Sequence, residues 1–159
     1  MSDLPTYMYK RTFEGTLGQI WQAFSDPKLL SVWYGPGVET VIHEFDLRPG
    51  GRWLNEMKWG ETSDYSRMEF QEVSEGDKIV WLHHSTDENW EQAPNPMMPN
   101  WPQKLLTTVT FSEQNGRGQV KLEQVPVDAT EDEIACFAQM MGNMDSGWGK
   151  GFDILQSLL

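Results

Sequence analysis

The stretch that decides the fold is Thr130–Leu159, TEDEIACFAQMMGNMDSGWGKGFDILQSLL. Apolar residues recur in it at Ile134, Phe137, Met141, Met144, Trp148, Phe152, Leu155 and Leu159. Their steps of three or four residues are the period of one helix face. Thr130 followed by Glu133 has the spacing of a capping box, and Glu131, Asp132 and Glu133 place negative charge at the positive end of the helix dipole. Such a helix is about 40 Å long at roughly 1.5 Å per residue, and its apolar stripe needs a cover. Gly142, Gly147, Gly149 and Gly151 interrupt the pattern, each at about 1 kcal/mol against alanine. Glycine at those positions lets another backbone or a bound molecule approach. The alternative is a break near Gly142–Asn143, with a second helix capped at Asp145 or Ser146.

The cover lies upstream, where the chain reads as strands. Tyr7–Phe13 places Tyr7, Tyr9, Arg11 and Phe13 on one side. Thr16 caps a short helix through Phe24, and Asp26-Pro27 starts a second that ends before Gly35-Pro36-Gly37. Strands follow at Thr40–Leu47, Arg52–Trp59, Tyr65–Val73, Lys78–His84, Lys104–Glu113 and Gly118–Val125. Turns separate them, among them Arg48-Pro49-Gly50-Gly51, Glu75-Gly76-Asp77 and Asn115-Gly116. Turns rather than crossover helices make the sheet antiparallel. The reading is an α+β helix-grip architecture in one domain, 1–159, with a curved antiparallel sheet wrapped around a long C-terminal helix and two short helices after the first strand.

Ser85–Gln103 breaks the rhythm. It combines Pro94, Pro96, Pro99 and Pro102 with Trp90, Met97, Met98 and Trp101, and is too long for an idle connection. It leaves and rejoins the sheet beside the inward residues Trp81, His83, Leu105 and Thr107. An ordered flap over a cavity mouth is expected.

Bulk composition narrows the function. The formal charge of −12 argues against nucleic acid or an anionic membrane as partner. No run approaches the roughly 20 apolar residues of a membrane span. Met1–Arg11 holds no apolar h-region, and the single cysteine, Cys136, fits a reducing cytosol, so a cytoplasmic location is expected. Eight tryptophans and nine methionines are the unusual quantity, because such side chains build apolar pockets.

Three stretches, taken in order, resemble a known family. They are Ile20–Leu30 running on to Trp33-Tyr34-Gly35-Pro36, then Phe45-Asp46-Leu47-Arg48-Pro49-Gly50-Gly51-Arg52-Trp53, then Gly147-Trp148 with Phe152, Asp153 and Leu155. The chain from Tyr7 to Leu159 resembles the bacterial proteins related to the activator of the heat-shock protein 90 ATPase, within the START-like superfamily (SRPBCC) that also contains the birch pollen allergen fold. The resemblance implies the same helix-grip fold. It also implies a small apolar ligand between sheet and helix, a chaperone partner, or a cyclase or hydrolase activity. The matching residues are mostly structural.

No catalytic motif is present: there is no GxSxG, no Gly-rich phosphate loop and no HExxH. His83 and His84, adjacent on a strand, face opposite sides and do not share a metal. No metal or other cofactor is expected. Glu72 alternates inward with Met68 and Phe70, and calls for Arg48, Arg52 or His83 as partner. The candidate ligand-binding residues are Trp33, Trp53, Met57, Met68, Phe70, Trp81, His83, Trp90, Trp101, Phe137, Met141 and Trp148. The expected function is binding of a small apolar or aromatic molecule, with chaperone co-regulation and pocket enzymology as alternatives.

Overall fold

The computed structural model describes residues 4–159; the start of the Met1–Arg11 stretch lies outside them. Strand β1 (Tyr7–Thr12) leads into helices α1 (Leu17–Ser25) and α2 (Pro27–Trp33). Strands β2 (Glu39–Phe45), β3 (Arg52–Trp59), β4 (Thr62–Ser74), β5 (Lys78–Thr86), β6 (Lys104–Gln114) and β7 (Arg117–Pro126) follow, and then α3 (Glu131–Ser157). The strands form one seven-stranded sheet in the order β1-β7-β6-β5-β4-β3-β2. Every neighbouring pair is antiparallel.

Local chemistry sets the helix ends. Thr16 and Gln19 form a reciprocal capping box at α1, and the Asp26 side chain accepts from the Lys28 amide at α2, with Pro27 in the first turn. Thr130 and Glu133 do the same for α3, which runs unbroken through Gly142 and Asn143 for 27 residues. A single helix is therefore formed, and Asp145 and Ser146 cap nothing.

The Arg48-Pro49-Gly50-Gly51 turn is fastened to β4: Gly50 N donates to the Phe70 carbonyl, and Phe70 N donates to that of Gly51. A Cβ on Gly51 would stand 2.1 Å from the Asp46 carbonyl oxygen, so only glycine fits.

Strand alternation puts Trp53, Met68, Phe70, Ile79, Trp81, Leu105, Val109, Phe111, Val120 and Leu122 on the inner face, all buried. Alternation fails at two points, one between Ile42 and Glu44 in β2 and the other in β4. The register shifts between Phe70 and Glu72, a bulge that turns Glu72 outward, where Lys78 Nζ lies 3.4 Å away. Val73 packs against the core beyond it. A bulge leaves one residue unpaired; a lone carboxylate inside would cost several kcal/mol. Arg48 and Arg52 are bound instead to Asp46 at 2.7 Å and Glu44 at 2.6 Å, and no Glu72–His83 pair forms.

Helix α3 crosses the inner face and is tied to the edge strand β1. Tyr7 Oη donates to Asp145 Oδ1 at 2.8 Å, and Arg11 Nη1 to Asp153 Oδ1 at 2.7 Å. Burial and the Asp145 bond together push the Tyr7 hydroxyl pKa well above the usual phenol range.

Candidate functional site: a cavity under helix α3

Between the sheet and the middle of α3 lies a cavity of about 290 Å³. Trp33 on α2 forms part of its wall, with Tyr34 and Pro36 from the α2–β2 connection. The sheet contributes Met57 from β3, His83 from β5, Leu105 from β6 and Gln124 from β7. Helix α3 adds Met144, Gly147, Trp148 and Gly151, and Trp101 closes the side towards the long β5–β6 connection. Most of this surface is apolar, as small-molecule sites usually are.

Three wall residues are held from behind. Trp33 Nε1 donates to the Ala23 carbonyl at 2.9 Å, and the ring stacks edge-on to Tyr34 at 5.9 Å. Thr40 Oγ1 donates to the Tyr34 carbonyl at 2.7 Å. Trp101 leans on Phe137 with centroids 5.5 Å apart. Beyond Trp101 and Met144 a smaller space of about 180 Å³ opens between the connection and α3.

The polar groups are few. Gln124 Nε2 donates to Thr107 Oγ1 at 3.0 Å. His83 sits between Met68 and Leu105 across the strands, and its Nδ1 is buried with no hydrogen-bond partner among the described residues. Burial, and secondarily the neighbouring His84, push its pKa down to about 4, so the ring is neutral at pH 7. Tyr34 is raised well above the phenol range by burial and then by the nearby Asp64 carboxylate. Asp64 is itself raised by burial.

Of the residues singled out from the sequence, Trp33, Met57, His83, Trp101 and Trp148 meet at this cavity. Trp53, Met68, Phe70, Trp81 and Phe137 are buried in the packed core around it, and Met141 is packed against that core from α3. Trp90 lies on the other face of the sheet. Its ring is 5.2 Å from His43 and 5.4 Å from Tyr65, and its carbonyl accepts from Arg67 Nη1. His84 shares that outer face, with Nε2 2.9 Å from Glu69 Oε1 and Nδ1 3.3 Å from Gln92 Oε1.

The Ser85–Gln103 segment is thus divided. Its first half folds back at Asp87, whose side chain accepts from the Asn89 and Glu91 amides, and covers the outer face. Only the second half, through Trp101, reaches the cavity. Gly147 and Gly151, expected to let another backbone or a bound molecule approach, are in the lining, and Tyr34, Gly35, Pro36, Leu105, Gln124 and Met144 complete it without having been candidate ligand-binding residues. Their signal was available in part, since Leu105, Gln124 and Met144 lie on inward faces of their elements.

Among the described residues, no group of three or more His, Cys, Asp or Glu side chains is placed to hold a metal ion. No helix among them is long and apolar enough to cross a membrane.

An antiparallel sheet gripping one long helix, with two short helices after the first strand, is the START-like helix-grip fold. Residues 15–159 match the family described as Activator of Hsp90 ATPase homolog 1-like protein, and the chain belongs to that family. Similar solved structures agree on the fold. A crystal structure from Mycobacterium smegmatis is 22% identical, with a TM-score of 0.80 over 99% of this chain and 96% of that one. A solution structure from Staphylococcus epidermidis is 19% identical, with a TM-score of 0.80 over 100% and 92%. A crystal structure from Chromobacterium violaceum is 18% identical, with a TM-score of 0.74 over 98% and 97%. No curated protein sequence matches the chain.

Proposed function

We propose that this protein binds a small, largely apolar or aromatic molecule in the cavity between the sheet and α3. The observation that carries the reading is the cavity itself: about 290 Å³, lined mainly by Trp, Met and Leu side chains, with Trp33 and Trp101 fixed from behind. An apolar cavity of about 150 Å³ accommodates benzene, so this one suits a molecule of about two fused rings. It stands at the lower end of the usual ~300–1,000 Å³ range for ligand sites. Native mass spectrometry of freshly purified protein, followed by calorimetry with two-ring aromatics, tests it. Support is a retained small molecule or saturable one-to-one binding. Protein that carries nothing and takes up no such probe contradicts it.

A second reading, co-regulation of a heat-shock protein 90 type chaperone, is favoured by the family match over residues 15–159. It requires that the protein raise the ATPase rate of its host's chaperone, with an effect that weakens as salt rises, as for an acidic surface on a basic partner. Neither binding nor stimulation at low salt would remove it.

A further inference from the structure

A cavity meant only to hold hydrocarbon has no use for an imidazole in its wall. His83 is built into β5 with Met68 and Leu105 as cross-strand neighbours, and neither can hydrogen-bond to it. Its ring is part-buried and lines the cavity, and neither ring nitrogen has a hydrogen-bond partner among the described residues; Nδ1 is shut off from the space, so Nε2 is the nitrogen open to a bound group. An imidazole left without a partner is costly, and a bound group that pairs with it recovers part of that cost.

We propose that the cavity selects an uncharged two-ring aromatic carrying one hydroxyl or amide group, held at His83, over both the bare hydrocarbon and the carboxylate of the same size. This rests on the ligand-binding reading above.

Three features support the choice. A neutral imidazole offers one donor and one acceptor, which suits a hydroxyl or amide able to play either part. Gln124 also lines the cavity; it donates one N–H of Nε2 to Thr107, and its side-chain carbonyl is a further acceptor. No lysine or arginine lines the cavity, so a carboxylate entering it would lose its water and find no counter-charge. His83 does not supply that charge, because burial keeps it neutral at pH 7. The Asp64 carboxylate stands opposite Met57 on the neighbouring strand, close enough to Tyr34 to raise that hydroxyl's pKa, and would repel an anion.

The experiment compares naphthol, naphthalene and naphthoate at pH 7 by calorimetry and tryptophan fluorescence. Naphthol is expected to bind about fivefold or more tighter than naphthalene, the worth of one net hydrogen bond, and naphthoate more weakly than either. His83→Phe should bring the naphthol and naphthalene affinities to within about twofold of each other, whatever change in affinity the two share. Should that variant fail to fold, the imidazole nitrogen shifts of His83 in the unaltered protein decide, since naphthol must move them and naphthalene must not. Equal binding of naphthol and naphthalene, or tightest binding of naphthoate, overturns this inference and leaves the ligand-binding reading standing. Binding of none of the three overturns both.

Discussion

The two halves of α3 rest on different floors. Towards the C-terminus, Phe152 is fully buried in a ring of aromatics: Phe13 at 5.4 Å, Tyr9 at 5.6 Å, Trp33 at 5.6 Å and Trp148 at 5.9 Å. Gly151 lets this happen, because a Cβ there would lie 3.0 Å from the Trp33 carbonyl oxygen. Further towards the N-terminus, Met144 and Gly147 face the cavity, and a Cβ on Gly147 would meet nothing within 4 Å. One glycine closes a contact and the other borders open space. The densest aromatic packing is therefore around Phe152, with Phe137 buried towards the other end, and the capacity to bind lies between them.

The largest expected effect is at the closed end. Phe152→Ala should cost about 3–5 kcal/mol, the range for emptying a well-packed aromatic site. Chemical denaturation measures it, and an unchanged midpoint would show that the aromatic ring around Phe152 does not anchor α3.

The open region should respond to acid. His83 has a folded pKa of about 4 against an ordinary 6.5, so between these values the unfolded chain binds more protons. The corresponding stability is fully present above about pH 6.5 and is lost as pH falls towards 4, by about 3 kcal/mol at most. Asp64, Glu44 and Glu56 are also shifted, Asp64 upward and the glutamates downward. They are common to the unaltered protein and to His83→Phe, so the difference between the two unfolding series isolates the histidine. Parallel pH curves would place His83 in contact with solvent.

Trp148 stands at the border between the two floors and is only half-buried. Trp148→Ala should cost about 2 kcal/mol, roughly half the full aromatic loss, and weaken ligand binding as well. A cost equal to that of Phe152→Ala would erase the distinction. The smallest effect has the opposite sign. Gly147→Ala should raise stability by about 0.5–1 kcal/mol, because the helix gains propensity without meeting any neighbour. A loss there would mean the space under Gly147 is filled.

Much of this arrangement was legible in the sequence. The period of Phe137, Met141, Trp148, Phe152 and Leu155 defined the face of α3 that packs on the core, with Ile134 only part-buried at its beginning, and Thr130 with Glu133 marked its start. Strand alternation placed His83 inward and His84 outward correctly. The same rule failed at Glu72, because a bulge adds one residue and reverses the side for everything after it; the cost of burying a carboxylate was the only hint. Trp90 and Trp101 look alike in composition, yet the Asp87 turn sends one to the outer face and the other to the cavity. Periodicity reports which way a side chain faces and says nothing of whether the atoms opposite meet it. For that reason Gly147 and Gly151 could not be told apart before the structure.

The cavity's role as a ligand site is tested most directly by nuclear Overhauser contacts from a bound two-ring aromatic to the protein's methionine methyls. Contacts to Met57 and Met144 are expected, with accompanying shifts at the Trp148 and Trp101 indoles. Contacts confined to the outer face near Trp90 and Tyr65, or saturating ligand with no contact to Met57 or Met144, would contradict it.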